Sequence, residues 1–139
     1  MNIKNIILIL VASAALTISS CGKYDEGPGI SLSSKTGRVA NTWKLDKAFE
    51  NGIDLTLEYK MDYPLFEVTF TKDGSYEILI NGDRGVGSWV FDKNKEKIIL
   101  TESVSSYVEA WNILRLAKDE LWITIIDGNT KYEWHFQSK

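Results

Sequence analysis

The feature that most constrains this chain is a two-residue alternation of apolar and polar side chains, cut at short intervals by Asp-Gly and Asn-Gly turns. In Phe66-Glu67-Val68-Thr69-Phe70-Thr71 the alternation is unbroken, as in a strand with one buried face. Lys72-Asp73-Gly74-Ser75 then turns the chain, and Tyr76, Ile78 and Ile80 share the next apolar face. Asn81-Gly82 is a second hairpin signal, because both residues tolerate the positive φ of a tight turn. Gly87, Trp89 and Phe91 share one face before a polar turn at Asp92-Lys93-Asn94-Lys95, and Ile98-Ile99-Leu100 is a short strand. Asn112-Ile113-Leu114-Arg115-Leu116 is a further strand, followed by a turn at Lys118-Asp119-Glu120. Leu121, Ile123 and Ile125 alternate with Trp122, Thr124 and Ile126 up to Asp127-Gly128. The final segment places Tyr132, Trp134 and Phe136 on one face and Lys131, Glu133 and His135 on the other. Upstream, Trp43, Leu45 and Phe49 suggest a first strand, and Leu55, Leu57 and Tyr59 a second. Residues 103–111 fit two patterns: Val104, Tyr107, Val108 and Trp111 have helical spacing, yet the segment also fits the start of a strand.

Eight or nine short strands joined by sequential turns make an all-β, antiparallel up-and-down meander. Closure into a barrel of about eight strands removes both exposed edges, whereas a sandwich calls for longer crossing connections. With one cysteine in 139 residues the domain has no intrachain disulfide and must hold through its core. Five Trp, six Tyr and five Phe supply that core.

The N-terminus has a different logic. Lys4 precedes an uncharged, mostly apolar run from Ile6 to Ile18, short for a membrane span but suited to the hydrophobic core of an export signal. Ser19-Ser20-Cys21-Gly22 follows. Small residues before the scissile bond admit a peptidase, and the Cys21 thiol can carry a diacylglycerol; two or three acyl chains then anchor the protein firmly. The expected organisation is a lipoprotein signal peptide over 1–20, a Gly/Ser-containing tether over 21–37 and a β-barrel domain over 38–139. The expected location is the cell envelope, lipid-anchored to the outer membrane and surface-exposed if Asp25 and Glu26 act as an export signal.

Chemistry is sparse. The formal net charge is −3, which argues against a nucleic-acid partner. His135 is the sole histidine, read as a solvated residue on the polar face of the last strand, and no metal-ligand spacing is present. No nucleophile elbow occurs, and Gly82-Asp83-Arg84-Gly85-Val86-Gly87 has the wrong spacing for a phosphate loop. The expectation is a protein with no catalytic residues and no cofactor. The candidate ligand-binding residues are the inward aromatics Phe70, Tyr76, Trp89 and Trp134, with Asn112 as a polar anchor on the face of Leu114 and Leu116. Trp111 and Trp122 are expected at outer or rim positions. An eight-stranded barrel holds either packed side chains or one small ligand. Two functions therefore stand: a binder of a small apolar ligand, and an envelope interaction or structural protein with a solid barrel.

Four segments carry a family resemblance: Thr42-Trp43-Lys44-Leu45, Phe70-Thr71-Lys72-Asp73-Gly74-Ser75-Tyr76, Gly87-Ser88-Trp89-Val90-Phe91 and Ile113 to Leu121. Together they resemble the lipocalin-like domain of small Bacteroides-type lipoproteins, over about residues 38–138. The resemblance implies an eight-stranded barrel with an interior pocket and no general catalytic residue. Asn41 stands where the family often has glycine, two residues before the first tryptophan.

If Cys21 carries the anchor, Cys21→Ala leaves the protein in the soluble fraction or unprocessed. Intact-mass analysis of the processed chain decides this: an unmodified Cys21 thiol contradicts lipidation.

Overall fold

A computed structural model describes residues 34–139. The signal segment, Cys21 and most of the tether lie outside the described residues. The chain forms α1 (Lys35–Val39), β1 (Thr42–Glu50), β2 (Ile53–Asp54), α2 (Thr56–Asp62) and β3 (Phe66–Phe70). There follow β4 (Ser75–Ile80), β5 (Asp83–Phe91), β6 (Lys97–Glu102), β7 (Val108–Leu116), β8 (Glu120–Asp127) and β9 (Thr130–Ser138). Residues 35–37, at the end of the expected tether, belong to α1; Ser34 caps that helix by accepting from Gly37 N at 3.0 Å.

From β3 to β9 each strand pairs antiparallel with the next, and β1 pairs with both β3 and β9. Strands β1 and β3–β9 therefore close into an eight-stranded antiparallel barrel, as the alternation required. The closing β1–β9 ladder runs from Trp43 opposite Ser138 to Glu50 opposite Tyr132. The turns behave as their residues dictate. Asn81 (φ 52°) and Gly82 (φ 98°) both take the positive φ of a two-residue hairpin. Asp92 Oδ1 holds the following turn by accepting from Glu96 N at 2.7 Å and Lys97 N at 2.8 Å.

Two expectations fail here, each for a local reason, and one open alternative is settled. Leu55, Leu57 and Tyr59 are not a strand: β2 is two residues long, and α2 follows. Leu55 and Tyr59 are four apart and half-buried on one helix face, while Leu57 and Met61 are exposed on the other. The ambiguous stretch 103–111 is a turn followed by strand β7, not a helix. Trp111 is not at a rim. It is fully buried, stacked on Phe136 at 5.9 Å and edge-on to Phe70 at 6.0 Å and Trp134 at 6.1 Å.

The last error has a physical cause in the backbone. The β7–β8 register slips between Ile113 and Arg115, so one extra residue sits in β7. A bulge reverses the inside-outside parity beyond it. Counting back from Leu116 therefore puts Trp111 outside, whereas it lies inside with Ile113. A second slip between Leu45 and Lys47 turns Ala48 inward and Phe49 outward, so Phe49 contributes nothing to the interior.

One end of the barrel is closed. Trp43, Phe70, Trp111, Leu116, Leu121 and Phe136 are essentially inaccessible there. Helix α1 seals this end: Val39 is fully buried, Trp43 Nε1 donates to Val39 O at 2.9 Å, and Arg38 Nη1 donates to Leu116 O at 3.0 Å. Asn41 accepts from Thr42 N through its side chain and from Phe70 N through its carbonyl, so it joins α1 to the sheet without glycine. Gly87 matters for packing: an added Cβ would lie 2.1 Å from Thr101 O and 2.7 Å from Tyr76 Cε1. The Tyr76 ring occupies the space a side chain would need.

Trp111→Ala should cost about 3–5 kcal/mol through lost burial and cavity formation, whereas Leu57→Ala on exposed helix α2 should change stability by less than about 0.5 kcal/mol. Urea denaturation measures both; similar small losses would return Trp111 to the surface.

Candidate functional site

The barrel wall is incomplete between β7 and β8. Their ladder starts at Leu116 opposite Leu121 and stops at Asn112 opposite Thr124. Beyond it, Val108–Trp111 and Ile125–Asp127 face each other without pairing, although each stays paired to its other neighbour, β6 and β9. Asn112 Nδ2 donates to Thr124 O at 3.2 Å, occupying a carbonyl at the point where the strands part.

A cleft of about 580 Å³ lies along this seam. Strand parity puts Glu109, Ile125, Tyr132 and Trp134 on its inner side and Ala110, Asn112 and Ile126 on its outer side, so the opening passes through the wall. A second cleft, of about 360 Å³, is lined by Tyr76, Ile78, Ile80, Leu100, Glu102 and neighbours. Tyr107 and Glu109 line both, so the two clefts are adjoining halves of one open barrel end.

The five sequence candidates divide. Phe70 and Trp89 are 2% and 4% exposed and line neither cleft; their rings meet edge-on at 5.6 Å, and Trp89 Nε1 donates to Thr71 O at 3.0 Å. They are packed core. Tyr76 and Trp134 face the interior and line the second and first clefts respectively. Asn112 is a correction: the β7 bulge puts it on the outer face, off the face of Leu116, and it reaches only the outer lip of the seam. It is not an interior anchor.

Sequence reasoning missed the polar half of the site. Glu50, Glu102 and Glu109 lie on inward registers: Glu50 opposite Tyr132, Glu102 opposite Gly87, Glu109 opposite Leu100. The available signal was that Glu102 lies two residues after Leu100 and Glu109 two before Trp111, so an apolar face simply continues into a charge. Tyr59, on α2, reaches over the end of β1 and donates to Glu50 Oε1 at 2.7 Å. Burial, followed by this hydrogen bond, pushes the Tyr59 phenol up to about 12. Burial also raises the Tyr76 phenol, with the negative fields of Glu102 and Glu109 adding to it. Trp134 Nε1 is buried and makes no well-formed hydrogen bond, although it lies close enough to the Tyr59 hydroxyl to act on that phenol. A buried donor left unmade is unfavourable, and a ligand acceptor or water would relieve it.

His135 is not solvated. Its side chain is 13% exposed, stacked on Trp122 at 4.0 Å with the rings 3° from parallel, and bonded to Glu133 Oε1 at 2.8 Å. Trp122 lies on the outer face as expected, but its partners are His135 and the Arg115 guanidinium rather than Trp111. Arg115 in turn pairs with Glu120 at 2.6 Å. Arg115 with Glu120 and His135 with Glu133 pair within this outer cluster, so it reads as bracing. Among the described residues no three His, Cys, Asp or Glu side chains gather closely enough to hold a metal ion, and no helix is long and apolar enough to cross a membrane.

The fold is similar to that of a DUF4847 family protein from Bacteroides vulgatus ATCC 8482, known from its crystal structure. The TM-score is 0.54 at 12% sequence identity, over 73% of this chain and 94% of that one. At this identity the likeness concerns the fold alone. No family model and no curated protein matches the sequence.

The raised Tyr59 pKa has a sign. The unfolded phenol ionises near its ordinary value of 10.0 and the folded one near 12, so the stabilisation is complete below pH 10.0 and is lost as pH rises toward 12. Tyr59→Phe should therefore remove part of the fall in urea midpoint over that interval; parallel wild-type and variant profiles would contradict it.

Proposed function

We propose that this protein is a lipid-anchored envelope lipoprotein whose lipocalin-like barrel binds a small, largely apolar molecule at its open end. The observation carrying this reading is the cleft of about 580 Å³ that enters the interior through the β7–β8 seam. Its volume is in the range of small-molecule sites, about 300–1,000 Å³. The lining suits such a ligand: Trp134, Tyr132 and Ile125 give apolar contact, and Glu109 and Asp127 stand at the margin.

The closed end supports the reading from the other side. Because α1 and the packed tryptophans stabilise the fold there, the open end is free to keep unfilled volume. A solid barrel would make a purely structural role the better account, and only one end of this barrel is solid. The anchor rests on Cys21 and the export signal before it; the acyl chains would hold the barrel at the membrane surface, within reach of molecules released there. Binding rather than turnover is the proposed activity, supported by the apolar lining of the cleft.

A neutral apolar probe tests the pocket. N-phenyl-1-naphthylamine should bind the full chain saturably with a rise in its fluorescence. Trp134→Leu, in the lining, should weaken this by about tenfold, while Trp122→Leu, on the outer face, should leave it unchanged. Absence of saturable binding, or equal loss in both variants while they remain folded, would remove the pocket.

A further inference from the structure

The open end of the barrel is aromatic inside and acidic at its margin. Glu102 on β6 and Glu109 on β7 both point inward; with Glu109 opposite Leu100, the two are diagonal neighbours on one inner face. Each accepts a single local hydrogen bond, Glu109 from Trp111 Nε1 at 2.7 Å and Glu102 from the Ser105 hydroxyl. Among the described residues neither has a salt-bridge partner, although ion pairs form elsewhere in the wall. Both carboxylates act on the Tyr76 phenol, which places their charge at the wall of the second cleft. Asp83 and Asp127, at the ends of β5 and β8, line the same opening.

Two basic residues also line the clefts, Arg84 the second and Lys97 the first, but both do so from the outer register. Arg84 lies on the outer register opposite Leu79 and is held by Glu77 at 2.5 Å. Lys97 is exposed on the outer register opposite Asn112. Like charges at diagonal positions on one sheet face repel, and the wall answers these two with hydrogen bonds from Trp111 and Ser105 but with no cation on the inner face. A cation in the cleft would supply one.

The kind of cation follows from the spacing and the surroundings. Metal ions demand converging oxygen ligands, and the acidic side chains here are not gathered in threes. A bulky organic cation spreads its charge and needs apolar contact as well. Tyr76, Tyr132 and Trp134 offer ring faces that attract cations and cover hydrocarbon. In the same wall, Trp134 Nε1 is a buried donor whose nearest polar neighbour is the Tyr59 hydroxyl, without a well-formed bond between them. An anionic headgroup would meet only like charge on the inner face.

We propose that the open barrel end binds an organic cation, an amine or quaternary ammonium carried on an apolar body, with Glu102 and Glu109 facing the charge and Tyr76, Tyr132 and Trp134 packing the body. This rests on the pocket proposed above and narrows its ligand class.

The test compares three probes with equal chains, octyltrimethylammonium, octanoate and octanol, below their micelle concentrations, by calorimetric titration of the full chain. The cation should bind at one per chain and at least about tenfold tighter than octanoate. The double variant Glu102→Gln/Glu109→Gln should bring cation and anion within about twofold of each other and leave octanol unchanged. Asp119→Asn, which removes a negative charge from an exposed turn away from the open end, should keep the wild-type preference. Circular dichroism and thermal melting confirm that each variant is folded; were the double variant to unfold, the single Glu102→Gln and Glu109→Gln variants must each show part of the lost preference. If octanol binds but the three probes are equal, or if the cation preference survives in the double variant or vanishes equally in Asp119→Asn, the charge assignment is overturned while the pocket stands. If none of the probes binds saturably, both are overturned.

Discussion

Pairing of the first long strand with the last governs everything else in this molecule. The β1–β9 ladder turns a meander into a ring, and a ring of eight strands has a girth that side chains alone can nearly fill. What remains is a contest for interior volume. At one end large rings win: Trp111 stacks on Phe136, Phe70 meets Trp89 and Trp111 edge-on, and α1 closes over Trp43. Buried aromatics of this size add packing and ring-ring attraction to area burial, so this half can hold the fold without a disulfide. At the other end the inward register passes to Tyr132, Glu50, Glu102 and Glu109, and volume stays open.

The opening is not simply an unfilled mouth. It follows from one extra residue in β7. The bulge near Ile113 lets Trp111 pack inward while the strand leaves its partner beyond Asn112. Two short backbone edges are thereby exposed next to an apolar cleft, an arrangement that closed barrels otherwise avoid. The same irregularity that completes the core at one level opens the wall at the next, and the stable half makes the open half tolerable. Local openings of low free energy collect where ladder pairing is absent, which is where ligand exchange needs them.

Much of this was legible in the sequence. Alternation placed Phe66, Val68, Phe70, Tyr76, Trp89, Ile123, Trp134 and Phe136 inside, and the glycine-containing turns set the strand order. What alternation cannot reveal is a break in its own phase. Both bulges add one residue with no distinctive side chain, so simple alternation puts Trp111 and Asn112 on the wrong faces. Helix α2 was hidden because Leu55, Leu57 and Tyr59 fit a period of two as well as the half-buried Leu55–Tyr59 pair fits a helix. The candidate site was legible only in part for a related reason. Large aromatics advertise themselves whether they fill a core, as Phe70 and Trp89 do, or line a cleft, as Tyr76 and Trp134 do. The carboxylates that distinguish the open end look like ordinary solvated strand ends until the ring is closed around them.

Native-state hydrogen exchange, resolved by residue, tests the central claim that a closed, packed half supports an open seam. The account predicts the slowest exchange in the β8–β9–β1 ladders and around Trp43, Trp111 and Phe136. It predicts fast exchange for the amides of Val108–Trp111 and Ile125–Asp127 that point across the seam, slowed on ligand binding. Uniform protection around the ring, with those seam amides as slow as their neighbours in the absence of ligand, would contradict it.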